Sequence, residues 1–436
     1  FTYEIGNSGT SVLNVHGSCF VDGGRFIMSR SPGEGSGLIN LSGDLTIDGG
    51  GVITEESEGA GFGSVVFNGS SMQLFRANGA VTNTIHFTVN EGSFLQMGTD
   101  PSQITGDGNF TLSSGSTLGI TSPFGITSTG TLINSGNIAV TGLRHFDPGA
   151  SYIYNGNGNQ LTGSGLPAQV AELHLGNSTT LTLSNESLNV SSNLTIEPGA
   201  EMNIGAGQEV EVNTFNNGGG VNVESIDVWN SGSFFVRDGL TQSPDSYVSY
   251  KRKLRSDELL GDWHYIASPV GTLSTQDFID DNEGQITPFG TFYEIWEWDE
   301  ESLTDNWGML DNTDIFQSGK GYNFNLSEGS DGYLFFKGKV VNNVTVFATS
   351  PYANYNGNPR ATSFDYGLNN PDPLIWAPGR SWTDYGGGGW NLMGNPFTSS
   401  LDVKAFILEN AEKFDPNYQA LYVYDGRIGE ESYKYV

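Results

Sequence analysis

The chain has 436 residues, with 49 Asp and Glu against 18 Lys and Arg and a formal net charge of −31. That balance argues against nucleic acid and against anionic membrane surfaces, since every phosphate contact requires a cation. No run approaches the roughly 18 apolar residues of a membrane span, and the single cysteine, Cys19, has no partner for an internal disulfide.

The chain opens on FTYEIGNSGT, without a basic and apolar leader. Residues 1–250 contain no lysine and only five arginines: Arg25, Arg30, Arg76, Arg144 and Arg237. With the richness in Gly, Asn, Ser and Thr, this points to an exported protein whose signal peptide has been removed. From Leu45 onward a hydrophobic-x-hydrophobic cluster returns with a period of about 21 residues, within the range of repeat architectures. Its anchors are Leu45, Val66, Phe87, Phe110, Leu132, Ile153, Leu173, Leu194 and Phe215. A glycine follows each anchor, for example Gly49, Gly92, Gly156 and Gly199. Such a period marks stacked units, none of which can bury its apolar face alone.

The content of each unit selects the kind of solenoid. Segments such as GDLTIDGGGVIT (43–54) and SNLTIEPGAEMNI (192–204) alternate short period-2 runs with Gly, Asn, Ser and Pro turns and lack helical spacing. The leucine-rich pattern and the calcium-binding GGxGxDxUx repeat are both missing. The expectation is an all-β protein: a right-handed parallel β-helix over residues 1–240, with about 21 residues per coil. At the inter-strand spacing of about 4.8 Å, ten or eleven coils form a rod roughly 50 Å long.

The chain changes character near 240–250, where lysine appears; seven of the eight tryptophans lie beyond that point. Residues 241–436 carry a duplication. GDWHYIASPVG (261–271) aligns with GGWNLMGNPFT (388–398), matching Trp263 with Trp390, Ser268 with Asn395 and Pro269 with Pro396. FYEIWEWDE (292–300) likewise runs parallel to ALYVYDG (420–426). Each copy reads as a strand, a Pro turn, a helix-like stretch and an aromatic strand, which implies a duplicated β-sandwich-like module with copies at about 261–387 and 388–436. The first copy continues through SGKGYNFNL (318–326), whereas the second stops at EESYKYV. A truncated second copy is therefore expected, with residue 436 either inside a longer natural polypeptide or at the limit of its ordered part.

These motifs, with YIYNGNGNQLTGSGLPAQVAELHLGN (152–177), resemble the large surface proteins of the Bacteroidota exported by the type IX secretion system. The resemblance implies a secreted or cell-surface protein of repetitive β architecture, adhesin-like and seldom an enzyme. Such proteins usually end in a small sorting domain that no segment here matches.

Parallel β-helices also host polysaccharide-cutting enzymes, whose hydrolases need paired carboxylates on neighbouring coils. Asp280-Asp281 and Asn312-Thr313-Asp314 occur in the wrong order for that signature and outside the solenoid, no GHG is present, and the five arginines are expected to share no coil. The nearest thing to an acidic cleft lining is Glu55, Glu56 and Glu58 in EESEGAGFG. The five histidines lack metal-binding spacing. Asp280, Asp281 and Glu283, and Asp299 with Asp305, offer loop carboxylates to Ca²⁺ but not at EF-hand spacing; a solvated acidic surface is the plainer account. No cofactor is required.

The aromatic residues are the stronger signal. Trp296 and Trp298 alternate with charged residues in YEIWEWDE, so successive positions face opposite sides of one strand. Trp307, Trp376 and Trp382 lie in Gly-, Asn- and Pro-rich stretches. Flat rings beside Asn and Asp suit sugar stacking, and inter-domain packing is the alternative use. The sequence thus leads to a non-catalytic extracellular surface protein, adhesin-like or structural. Its partners would be glycans or copies of itself, joined at edges such as FTYEI and YKYV. The alternative is a carbohydrate-binding or polysaccharide-cleaving β-helix.

Overall fold

The computed structural model describes residues 2–6, 9–30, 35–57, 61–99, 102–129, 136–176, 178–227, 230–254, 263–299, 307–344, 391–414, 421–424 and 433–435. It is nearly all β, with 5% helix and 49% strand, and its parallel coils stack into a solenoid of about nine turns. Two compact units are formed. The first is Phe1–Asn222 with Phe234–Ser246, and the second is Val223–Ser233 with Tyr247–Val436.

The early coils of the first unit have three strands each. Arg25–Arg30, Ser36–Leu41 and Leu45–Asp48 make one coil; Val52–Glu56, Gly63–Phe67 and Met72–Ala77 make the next, each strand pairing parallel with its counterpart. In later coils two of the faces fuse into one long strand, as in Ser187–Ile196 and Glu209–Asn217. A register break between Val190 and Asn193 turns the corner inside that strand, the usual work of a β-bulge.

Alternation along each strand sends one residue in two to the interior, and parallel in-register pairing stacks those residues into columns. One column runs Leu95, Leu118, Tyr152, Leu173, Leu194 and Phe215, and all six are fully buried. Another runs Ile39, Val65, Phe87 and Phe110. Each large apolar side chain so placed contributes about 1.5–3 kcal/mol relative to exposure. Outside, amides pair between coils: Asn40 with Asn14 at 2.8 Å and Asn216 with Asn193 at 2.9 Å.

The expected step holds where Tyr152, Leu173, Leu194 and Phe215 succeed one another, but elsewhere it does not. Leu118 is followed in its column by Tyr152, and Leu45 in its own by Phe75, both well beyond the expected spacing. The expected anchors belong to two faces: Leu45, Leu173, Leu194 and Phe215 lie on one, Phe87 and Phe110 on another. Val66 and Ile153 miss the interior by one residue, which Val65 and Tyr152 occupy instead. A slip of one position exchanges the two faces of a strand, and lengthened corners change a coil's size without touching its columns. Leu132 lies outside the described residues.

Corners are closed by a recurring glutamine. Gln73 Oε1 accepts the Gly69 N–H at 2.7 Å while its Nε2 donates to the carbonyls of Leu41 (2.9 Å) and Gly43 (2.7 Å) on the preceding coil. Gln160 does the same with Gly156 at 2.8 Å and with Ile120 and Ser122, both at 3.0 Å. Gln208 repeats it with Gly205, Leu183 and Asn185. Gly156 must be glycine, because a Cβ there would stand 2.5 Å from the Thr121 carbonyl oxygen.

In the second unit an antiparallel four-stranded sheet has the order Trp263–Ile266, Tyr322–Asn325, Ile295–Trp298 and Trp307–Met309. One face packs on the helix Thr275–Asp281, which starts where Ser274 Oγ accepts the Asp277 N–H. Phe278 of that helix meets Phe324 of the sheet at 5.5 Å, Phe316 at 5.4 Å, and Phe336 of the ribbon Tyr247–Lys253/Tyr333–Gly338 at 5.0 Å. A helix therefore contributes a central side chain to the core of the β-sandwich-like module.

The two copies share local geometry. Ser268 Oγ accepts the Val270 N–H at 3.3 Å, and Asn395 Oδ1 accepts the Phe397 N–H at 3.1 Å, so both pre-proline residues brace the same turn. A short helix follows in each case, capped by Ser274 in one and by Asp402 in the other. Trp390 lies outside the described residues.

Tyr322 reports on this core. Burial first, then the charges of Glu297 and Asp314, push its hydroxyl up to about 12, against the opposing hydrogen bond from the Gln317 N–H. Burial likewise raises Tyr152 and Tyr154 above the ordinary tyrosine range. An unfolded tyrosine ionises near 10, so the unfolded chain releases its proton first. The stability present below pH 10 is expected to fall as pH rises from about 10 through about 12. Denaturant midpoints across that range should drop, and less steeply in Tyr322→Phe; equal slopes would contradict the assignment.

Candidate functional site

The face of the four-stranded sheet opposite Phe278 collects aromatic and amide side chains. Strand register places Tyr265, Asn323, Trp296 and Met309 in one row across the sheet. Trp263 pairs with Asn325 and Trp298 with Trp307, on the same face two positions to either side of that row. The parity is set by the core: Ile295 and Phe324, at the intervening positions, are fully buried on the other side. Trp298 and Trp307 meet edge to face with ring centroids 5.2 Å apart, and Trp307 stacks on Tyr265 at 6.1 Å and 25°. Both geometries are favoured by the ring quadrupole.

Trp263, Trp296, Trp298 and Trp307 are half-buried, and Tyr265 is exposed. Trp296 Nε1 and Asn323 Oδ1 are buried without a hydrogen-bond partner among the described residues. One is a donor and the other an acceptor, on residues paired across adjacent strands.

The sequence singled out Trp296, Trp298 and Trp307, and the sheet brings all three together. It did not single out Trp263, Tyr265, Met309, Asn323 or Asn325 for binding. Their shared face follows from a register between segments far apart along the chain, which no local pattern encodes. Trp376 and Trp382 lie outside the described residues.

Asp280, Asp281 and Glu283 are exposed at and just beyond the end of the helix Thr275–Asp281. Asp280 accepts from Gln276 Nε2 one turn back, at 2.8 Å. Among the described residues no three His, Cys, Asp or Glu side chains come together as a metal site. Asp299 is exposed, and Asp305 lies outside the described residues.

On the solenoid, Arg25 and Arg30 occupy one strand, so the expectation that no two arginines share a coil was wrong. Both approach Glu56 on the next coil: Arg25 pairs with it closely, and Arg30 Nε lies at 3.8 Å. Parallel pairing sets Arg30 opposite Glu56, which spacing alone did not reveal. Glu55 is only 7% exposed and accepts from the Ser57 N–H at 2.9 Å and the Ser57 hydroxyl at 2.6 Å. Its carboxylate is thus occupied in holding the following turn. Glu58 lies outside the described residues. The histidines are engaged locally: His86 Nδ1 accepts the Asn109 N–H at 2.9 Å, and His174 lies 3.1 Å from Glu197.

Fold and site together define a β-solenoid protein with an aromatic-faced antiparallel module. The chain belongs to the family described as a domain of unknown function, DUF8693, whose model matches residues 149–432. The match begins where the evenly sized coils begin and continues through the module. No curated protein and no solved structure matches the chain.

Proposed function

We propose that this is a non-catalytic extracellular surface protein, adhesin-like in role, that binds glycans through the aromatic face of its second unit. The observation that carries the proposal is the group Tyr265, Trp296, Trp298 and Trp307 gathered over Asn323. Ring faces take the C–H side of a sugar, and amide and indole groups take its hydroxyls. The in-register solenoid supplies a stiff element whose backbone bonds are made between coils. Export and surface location belong to the proposal and are supported by the acidic, lysine-free stretch that ends near Tyr250 and by the resemblance to type IX cargo.

The test is binding of the whole chain to a panel of neutral polysaccharides by affinity electrophoresis. Trp298→Ala and Tyr265→Ala are each expected to weaken binding about tenfold or more, as loss of an aromatic anchor does at an interface, without changing the thermal midpoint of the solenoid. Binding that is indifferent to both substitutions would remove the aromatic face from the account.

One observation favours a second role in self-assembly. Among the described residues, Thr2–Gly6, Thr10–Val15 and Cys19–Asp22 each end their sheet, and Phe20 is 70% and Val12 54% exposed there. Open edges of this kind accept further strands.

A further inference from the structure

A second surface of the module is charged against the trend of the chain. The antiparallel ribbon Tyr247–Lys253 with Tyr333–Gly338 pairs Lys253 with Tyr333, Lys251 with Phe335 and Ser249 with Lys337. Its inner face carries Val248, Leu334 and Phe336, all buried. The alternate positions therefore share the outer face: Tyr247, Lys251, Lys253, Tyr333, Phe335 and Lys337. Three lysines and three rings lie in successive rows about 6.8 Å apart.

The lysines are held by the rings. Lys253 Nζ lies 4.1 Å from the Tyr333 centroid, Lys251 Nζ 4.8 Å from Tyr333 and 5.5 Å from Phe335, and Lys337 Nζ 4.4 Å from Tyr247. Cation–π contact fixes each ammonium over an apolar surface. Arg252, on the other face, is occupied with Ser231 Oγ at 2.7 Å. Among the described residues, the acidic groups at the strip are Glu224, 3.1 Å from Lys251, and Asp331, whose carboxylate accepts the Tyr333 N–H and whose carbonyl accepts from Lys253 Nζ. In a chain of net charge −31 with 18 basic residues, this ordered row of cations among rings stands out.

We propose that this ribbon binds an anionic polysaccharide, with the lysines taking the carboxylates or sulfates and the rings taking sugar faces. Preordered cations reduce the entropy lost on binding. Three lysines are too few to hold a nucleic-acid backbone, whose affinity scales with the phosphates neutralised. A sugar chain divides its binding between charge and ring contact. The strip is separate from the Tyr265 and Trp298 face, and the inference stands without that one.

The whole chain should be run by affinity electrophoresis in gels containing polygalacturonate, dextran sulfate, uncharged dextran or a single-stranded oligodeoxynucleotide. Retardation by an anionic polysaccharide and not by dextran is expected, weakening as salt is raised; the carboxylated and sulfated gels separate the two anions. The triple variant Lys251→Gln, Lys253→Gln, Lys337→Gln should bind at least tenfold more weakly, and the single variant Lys337→Gln, at an exposed position, should bind measurably more weakly with an unchanged melting curve. Lys404→Gln, a lysine outside the strip, should bind as the parent does. Retardation by neither anionic polysaccharide, retention of full binding in the triple variant, or equal binding of the oligonucleotide would overturn the proposal. So would a change in the protein's oligomeric mass in the triple variant, which would make a second copy the occupant.

Discussion

Replacing Phe87 by alanine is expected to lower the stability of the first unit by about 3–5 kcal/mol, the cost of emptying a large buried site. Phe87 is fully buried in the column between Val65 and Phe110 and touches rings from two faces of the coil, Phe67 at 6.5 Å and Phe75 at 6.2 Å. Collapse around the gap is limited, because each neighbour is fixed in register by strands above and below. In a nearest-neighbour stack a defect also weakens the coupling of coils on either side, so the denaturant transition should broaden as well as shift. Phe20→Ala, at a 70% exposed site, should change little, within about 0.5 kcal/mol. Comparable losses at the two positions would contradict the interior assignment.

Gln160→Met is expected to cost about 2–3 kcal/mol, although methionine is close to glutamine in size. Ile120 and Ser122 keep second donors in the Asn155 and Gly125 N–H groups. The buried Gly156 N–H loses its acceptor, and an unpaired buried donor costs about 1–3 kcal/mol by itself. Gln73→Met should behave in the same way, and Gln208→Met, at a half-buried corner, should cost less. Equilibrium unfolding of the three variants tests the order, and equal small losses would show that the glutamines fill space without clamping the coils.

The solenoid was legible because alternation and turn chemistry act locally, and stacking repeats them. Its coil lengths were not, since a parallel ladder tolerates any excursion at a corner that returns the next strand in register. The long step from Leu118 to Tyr152 carries one such excursion, and averaging over two faces hid it. Val66 and Ile153 show the same limit on a smaller scale: in a strand with hydrophobic residues on both sides, pattern cannot say which side is inside. The Ser268 and Asn395 turns were visible as a duplication because each is a short-range hydrogen bond to a residue two positions on.

The two sites differ in how far they could be read. Trp296 and Trp298 were found because two tryptophans at alternate positions of one strand must share a face. Tyr265 and Asn323 joined them only through the antiparallel register of three strands. The lysine strip was hidden for a related reason. Lys251 and Lys253 are adjacent to aromatic residues in space but belong to a strand paired with Tyr333–Gly338, a segment distant in sequence.

The most direct test of a non-catalytic, glycan-binding role is to saturate the protein with the polysaccharide it retains and follow new reducing ends and unsaturated products over a day. Stable binding with an unchanged polymer length distribution is the predicted result. Shortening of the polymer, or failure to bind any neutral or anionic glycan, would contradict it.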